Sequence, residues 1–157
     1  MEIKSKGDDR FEIKTKSATI TTGEMVKVNE VELAGPGEYE VGDTNVLGFP
    51  PSVYLISSEE LKLAYLDRIS SSLNDEQIEQ LSEPDILMIP CGGQGSLPAK
   101  DAERMVSLID PKLVIPMLGD VSAFAKKLAT NFETVSSLKV SKSSLPEDGR
   151  KVVVFKS

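Results

Sequence analysis

Histidine and tryptophan are absent from the 157 residues, and cysteine occurs once, at Cys91. Without histidine the chain lacks the commonest metal ligand of proteins and the base of Ser-His-Asp and Cys-His catalysis. A lone cysteine excludes an intrachain disulfide framework and a zinc finger, and it is typical of a reducing compartment. The sequence therefore argues against the most frequent hydrolytic and metal-binding sites.

Long apolar runs and an excess of positive charge are missing as well. No apolar run approaches the ~20 residues of a membrane span, and the first residues, Met1 to Lys4, show no apolar signal-peptide region. The 18 basic residues against 25 acidic ones give a net charge of −7, which disfavours nucleic acids and anionic membranes as partners. We expect a cytoplasmic protein, and the length predicts one domain over residues 1–157.

The first part of the chain alternates apolar and polar residues, as at positions 11–14 and 38–41. A period of two predicts half-buried strands, and the Gly-Pro-Gly segment at 35–37 interrupts them. Two further strands are predicted at 53–56 and 61–66. Together these segments predict a meander of short antiparallel strands.

From residue 73 onward, strand and helix patterns alternate. Asn74 and Gln77 form a capping box, which predicts a helix that runs to about Leu81. The apolar runs at 86–89 and 113–115 predict strands that are buried on both faces.

Two further helices and two closing strands are predicted after the first buried strand. Ser96 or a neighbour is expected to cap the second helix, and Asp120 the third. The second helix has one apolar face, formed by Ala102, Met105, Val106 and Ile109. Strands at 138–140 and 152–155 complete a layered α/β domain.

Several segments of this chain are similar to a known family. They are residues 7–14 (GDDRFEIK), 35–41 (GPGEYEV), 73–77 (LNDEQ), 85–93 (DILMIPCGG), 115–117 (IPM) and 144–147 (SLPE). In this order they resemble small bacterial Zn-dependent hydrolases of the metallo-β-lactamase fold. The resemblance implies an α/β architecture, namely a truncated metallo-β-lactamase-like αβ/βα sandwich with an N-terminal strand meander followed by strand-helix units.

The same resemblance draws attention to metal ligands that this sequence lacks. Members of the family bind two metals through a His-x-His-x-Asp-His motif and through later His and Asp residues, and here the segment for that motif is missing between Thr22 and Met25. The expected vestigial site consists of Tyr65 in place of a His, Asp67 and Arg68 in place of Gly-Asp, Cys91 after a buried strand, and Leu118 in place of the His that follows Ile-Pro-Met. Zinc needs about three or four converging ligands, so we expect no metal and no other cofactor.

Three groups of residues have both a functional and a purely structural interpretation. Cys91 is either a thiol activated near a helix start or a small buried apolar residue. The loop at 92–96 is either an anion cradle or a tight turn. The carboxylate pairs Asp8-Asp9 and Glu38/Glu40 either hold a cation or act in acid-base chemistry, or they are solvated surface groups.

Arg68 also has two interpretations. If the resemblance holds, a permanent cation stands where the family keeps metal charge, and we predict that Arg68 turns inward and pairs with Asp8, Asp9 or Asp120. The alternative is an exposed arginine that pairs loosely with Asp67.

The sequence therefore predicts a non-catalytic domain, a pseudoenzyme with a structural or interaction role. The alternative is a hydrolase of the same superfamily with an atypical site or a site completed by a partner. Loss of the segment between Thr22 and Met25 would leave a strand edge or apolar patch uncovered, so a homodimer is expected.

Overall fold

The computed structural model describes residues 1–129 and 131–156 of the chain. Over these residues the chain forms fourteen strands and three α-helices. In chain order they are β1 (Glu2–Gly7), β2 (Arg10–Lys14), β3 (Thr19–Thr21), β4 (Lys27–Val28), β5 (Val31–Glu32), β6 (Gly37–Val41), β7 (Thr44–Phe49), β8 (Val53–Ser58), β9 (Leu61–Leu66), α1 (Asp75–Gln80), β10 (Ile86–Pro90), α2 (Ala99–Ile109), β11 (Leu113–Met117), α3 (Val121–Leu128), β12 (Glu133–Val135), β13 (Ser137–Lys139) and β14 (Lys151–Phe155).

The strands form two sheets. The smaller has the order β13-β1-β2-β3-β4-β5, and the larger has the order β12-β14-β11-β10-β9-β8-β7-β6. The predicted meander is therefore divided between the sheets, because β5 and β6 on either side of Pro36 belong to different ones. The predicted α/β class with two layered sheets is confirmed.

Two apolar cores hold the layers together. The first lies between the sheets and includes Ile13 of β2 and Met88 of β10. The second lies between the larger sheet and the helices, and it receives Ile78 from α1, Met105 from α2 and Phe124 from α3. Alternation along β2 explains the first core, because Phe11 and Ile13 are buried while the residues between and beside them are not.

The helices cover one side of the sandwich only. Over the described residues, all three pack on the larger sheet, whereas the resemblance implies helices on both outer faces. The outer face of the smaller sheet is charged instead. Lys4 pairs there with Glu2 at 3.5 Å, and Lys6 pairs with Glu12 at 3.6 Å.

The helix starts follow the sequence signals in two cases out of three. Asn74 and Gln77 form the predicted capping box of α1, with both hydrogen bonds at 2.8 Å. Asp120 caps α3, since its Oδ1 accepts from the Ala123 N–H at 3.1 Å. For α2, a cap was predicted at Ser96 or a neighbour; the helix begins after Pro98, two residues further on, and Pro98 makes no side-chain cap bond.

The parallel part of the larger sheet determines where its loops meet. The strands β9, β10, β11 and β14 run parallel to one another, and β10 and β11 are buried along their whole length, as predicted. The carboxyl ends of β9, β10 and β11 consequently lie at one edge of the sheet.

The strands β1 and β12 were not predicted from the sequence. In the part of the chain that the structure describes, no helix is long and apolar enough to cross a membrane.

Candidate functional site

The five residues of the expected vestigial site all lie at this edge of the larger sheet. Tyr65 is on β9, and Asp67 and Arg68 follow that strand directly. Cys91 follows β10, and Leu118 follows β11. The turn between β1 and β2 reaches the same edge from the smaller sheet, because the Leu118 N–H donates to Asp9 Oδ1 at 3.2 Å. The edge is thus built from both sheets.

Tyr65 and Asp67 form a hydrogen-bonded pair at the end of β9. The Tyr65 phenol, on a side chain only 2% exposed, donates to Asp67 Oδ1 at 3.2 Å. Burial raises the pKa of Asp67, while the bond from Tyr65 and the charge of Arg68 lower it. Burial and then the charge of Asp67 raise the pKa of the Tyr65 phenol well above its usual range. Tyr65 is therefore a neutral donor to a partly desolvated carboxylate.

Arg68 lies exposed beside this pair, in a left-handed backbone conformation with φ of 50°. The prediction that it turns inward to a carboxylate is wrong, since no ion pair joins Arg68 to Asp8, Asp9 or Asp120 among the described residues. Each carboxylate has another partner: Asp8 pairs with Arg10 at 3.5 Å, Asp9 accepts from Leu118, and Asp120 caps α3. The alternative interpretation, an exposed Arg68 beside Asp67, describes the structure.

Cys91 is a buried residue in this site. Its side chain is 3% exposed, and burial, followed by the charges of Asp9 and Asp120, raises the pKa of the thiol to about 12. A thiol with such a pKa stays protonated at neutral pH, and the thiolate is the reactive form. The interpretation of Cys91 as a small buried apolar residue is therefore supported over the activated thiol.

The loops after β10 and β11 are joined backbone to backbone. The Cys91 N–H donates to the Met117 carbonyl at 2.9 Å, and the Gly93 N–H donates to the Leu118 carbonyl at 2.6 Å. A Cβ atom at Gly93 would lie 2.5 Å from the Leu118 carbonyl oxygen, so this approach requires glycine. The glycine-rich loop is thus a closely packed turn, in which the Ser96 hydroxyl donates to the Gly93 carbonyl at 2.7 Å.

A cavity of about 300 Å³ opens between these loops and the β1–β2 turn. Its lining residues are Asp9, Arg68, Gly93, Gln94, Gly95, Ser96, Leu118 and Gly119. Arg68 and Leu118 thus contribute to the cavity, whereas Tyr65, Asp67 and Cys91 do not line it.

A second cavity, of about 200 Å³, was not predicted. Its lining residues are Gly35, Pro36, Gly48, Phe49, Pro50, Pro51, Ser52 and Tyr54. The centroids of the Tyr54 and Tyr65 rings are 6.4 Å apart, so this cavity lies close to the Tyr65–Asp67 pair. The proline-rich segment after β7 was the signal in the sequence, because such a segment forms a rigid wall.

The acidic pair Glu38/Glu40 lies away from this edge. Both side chains are exposed on β6, and Glu38 Oε1 accepts from the Asn45 amide at 3.0 Å. The solvated-surface interpretation of this pair describes its position.

The residues at the strand ends do not fit a zinc ion. Across residues 1–129 and 131–156, no group of three or more Cys, Asp or Glu side chains is arranged to hold a metal, and the whole sequence contains no His. Asp9, Asp67 and Asp120 lie in three different loops, and burial raises the pKa of the Cys91 thiol, which keeps it protonated. Zinc requires deprotonated ligands that converge on one point.

Comparisons with known proteins bear on this site. A family model described as a beta-lactamase superfamily domain matches residues 6–118. The chain is similar to a Thermotoga maritima protein of the metallo-β-lactamase superfamily, proposed to be a Zn-dependent hydrolase, whose crystal structure matches with a TM-score of 0.85. That match has 25% sequence identity and covers 99% of this chain and 98% of the other.

A curated relative from Methanopyrus kandleri, named as a metal-dependent hydrolase, is 30% identical over 86 residues. The match covers 55% of this chain and 35% of the relative. This chain therefore spans about a third of the length of that protein.

Proposed function

Because the chain belongs to the metallo-β-lactamase superfamily, we propose that it is a metal-independent, non-catalytic member whose strand-end site serves binding or a structural role. Hydrolysis in this superfamily is expected to use metal-activated water. On this proposal, the chain keeps the scaffold and its strand-end loops and has replaced the metal chemistry with polar groups of its own.

The Tyr65–Asp67 hydrogen bond is the observation that carries the proposal. The Asp67 carboxylate accepts from the buried Tyr65 phenol at 3.2 Å, and this bond and the charge of Arg68 partly offset the burial that raises its pKa. A metal ligand must instead direct its free lone pairs at a shared point. Within the described ranges 1–129 and 131–156, no three Cys, Asp or Glu side chains are arranged to hold an ion, which supports the same proposal.

The alternative is a hydrolase whose site is atypical or completed by another chain. The names of the two relatives favour it, since both describe hydrolases that depend on metal. On this alternative, Asp9, Asp67 and Asp120 would give up their present partners to bind the ion.

Zinc titration calorimetry, combined with hydrolysis assays, tests the proposal. The full chain would be titrated with zinc and then incubated with a β-lactam, a phosphodiester and an ester that each release a coloured product. We expect no saturable zinc binding and no hydrolysis above the zinc-only control. Saturable binding of one or two ions together with hydrolysis, both lost in Asp67→Asn and retained in the exposed control Asp148→Asn, would support the hydrolase instead.

A further inference from the structure

The cavity lined by Asp9 and Arg68 contains one positive and one negative side chain that do not pair with each other. Both residues line the same space of about 300 Å³, yet neither forms an ion pair with any described residue. Asp9 comes from the smaller sheet, in the β1–β2 turn, and Arg68 comes from the larger sheet, after β9. The two residues of opposite charge therefore line one cavity from different layers of the sandwich.

The carboxylate of Asp9 is held in place by the backbone. Its Oδ1 accepts from the Leu118 N–H at 3.2 Å, and the Gly93–Leu118 hydrogen bond of 2.6 Å fixes that segment in turn. The second oxygen, Oδ2, has no hydrogen-bond partner among the described residues. One oxygen of a fixed carboxylate is thus left to accept from a ligand.

Two of the residues that line this cavity outside the β1–β2 turn have a left-handed backbone conformation. Arg68 and Leu118 have φ values of 50° and 52°, although neither lies in a hairpin turn. Left-handed conformations are unfavourable for a residue that carries a Cβ atom. Strain of this kind is common at ligand sites, where the surrounding structure maintains it.

The charges of the cavity discriminate between classes of ligand. A simple anion would be attracted by Arg68 but repelled by Asp9, and a simple cation would experience the reverse. A molecule that carries both a carboxylate and an ammonium group satisfies both side chains. The planar guanidinium matches a carboxylate with two parallel hydrogen bonds, and a carboxylate oxygen accepts from an ammonium.

We propose that this cavity binds an α-amino acid as a zwitterion, with its carboxylate on Arg68 and its ammonium group on Asp9. The volume is at the lower end of the ~300–1,000 Å³ typical of small-molecule sites, which suits a ligand of this size. The inference rests on the proposed function in one respect, because it requires a site without metal.

Thermal shift and calorimetry on the full chain, both with a chelator present, test this inference. The twenty proteinogenic amino acids are screened singly, and the one that raises the unfolding temperature most is titrated. Its analogues without the amino group and without the carboxyl group are titrated alongside it. We expect each analogue to bind at least tenfold more weakly than the amino acid.

Two matched pairs of variants assign the binding to this cavity. Arg68→Gln and Asp9→Asn should each weaken binding at least tenfold, whereas Arg104→Gln on the exposed face of α2 and Asp8→Asn in the same turn should bind like the parent. Asn is favoured in left-handed turns, so both Asp variants keep a foldable turn.

Several outcomes would overturn the inference. They are no thermal shift with any amino acid, an analogue that binds as well as the amino acid, and Arg68→Gln binding like the parent. Zinc binding in the calorimetric titration described above would instead overturn the proposed function, so the two failures are distinguishable.

Discussion

At the scale of single residues, the end of β9 is organised by the bond between the Tyr65 phenol and the Asp67 carboxylate. Tyr65→Phe removes the donor and leaves a partly buried carboxylate with one partner fewer. A hydrogen bond to a charged group contributes about 1.5 kcal/mol or more, so we expect the free energy of unfolding to fall by about 1.5 kcal/mol. Urea unfolding measures this change.

Tyr39→Phe is the matched control for that variant. The Tyr39 phenol donates to a neutral backbone carbonyl, that of Gly35, at 3.2 Å. Its loss should cost ~0.5 kcal/mol, at the lower end for a neutral bond. Equal losses of unfolding free energy in Tyr65→Phe and Tyr39→Phe would contradict the expectation that the bond to the charged Asp67 is stronger than a bond to a neutral carbonyl.

The carboxylate of Asp67 makes stability depend on pH. Its pKa in the folded chain is raised, chiefly by burial, so the folded state binds the proton more tightly than the unfolded state. The stability that Asp67 contributes through this shift is therefore fully present below the ordinary pKa of Asp. It is lost as the pH rises through the raised pKa of Asp67 in the folded chain. Asp67→Asn keeps an acceptor for Tyr65 and removes the charge.

We expect the urea midpoint of Asp67→Asn, relative to the parent, to be higher at pH 7 than at pH 4. Asp148→Asn removes an exposed carboxylate and corrects for the general effect of net charge on a chain at −7. A midpoint difference that is the same at both pH values would show that burial of Asp67 imposes no cost.

At the scale of elements, the loops after β10 and β11 depend on glycine at one close contact. In Gly93→Ala the new Cβ would lie 2.5 Å from the Leu118 carbonyl oxygen, and the backbone would have to shift. We expect a loss of about 2 kcal/mol in urea unfolding, as for other overpacked sites. The cavity between the loops should also lose its shape.

Gly95→Ala in the same loop is the control for this contact. Gly95 has φ of 74°, but a Cβ there meets nothing within 4 Å, so only the conformational cost of about 1 kcal/mol is expected. A larger loss for Gly95→Ala than for Gly93→Ala would contradict the packing argument.

Local sequence signals predicted the helices and strands around the site well, because these elements depend on residues that are close together in the sequence. The capping box at Asn74 and the cap at Asp120 act within one helical turn, and the apolar runs of β10 and β11 reflect burial on both faces. The division of the meander into two sheets depends on long-range pairing, such as that of β1 with β13. No local pattern contains that information.

The site was predictable at the level of position but not of contacts. The resemblance to the metallo-β-lactamase fold assigned Arg68 and Leu118 to one site, and both residues line the same cavity. The partners of the carboxylates depend on three-dimensional distances: Asp9 bonds to Leu118, which is 109 residues away in the sequence. For this reason the predicted inward ion pair of Arg68 was wrong.

At the scale of the whole molecule, the smaller sheet ends in a short exposed strand, β5, in which Val31 is 62% exposed. We propose that the chain forms a two-fold homodimer, as the missing segment between Thr22 and Met25 suggests. Sedimentation velocity over a wide concentration range should give twice the mass of one chain. Val31→Lys should weaken the dimer, because it places a charge at an exposed apolar position.

Leu108→Lys is the control for the dimer, because Leu108 is also exposed, at 54%, but lies on α2 outside the larger sheet. This variant should sediment like the parent. A mass of one chain at every concentration would contradict the proposed dimer.

We propose that the strand-end site holds polar groups of this chain in place of metal. Native mass spectrometry of the full chain, after incubation with excess zinc and removal of free ions, shows whether the site binds zinc. We predict a species at the mass of the bare polypeptide, or a multiple of it, without bound zinc. A species that carries one or two zinc ions per chain, and that loses them in Asp67→Asn, would contradict the claim.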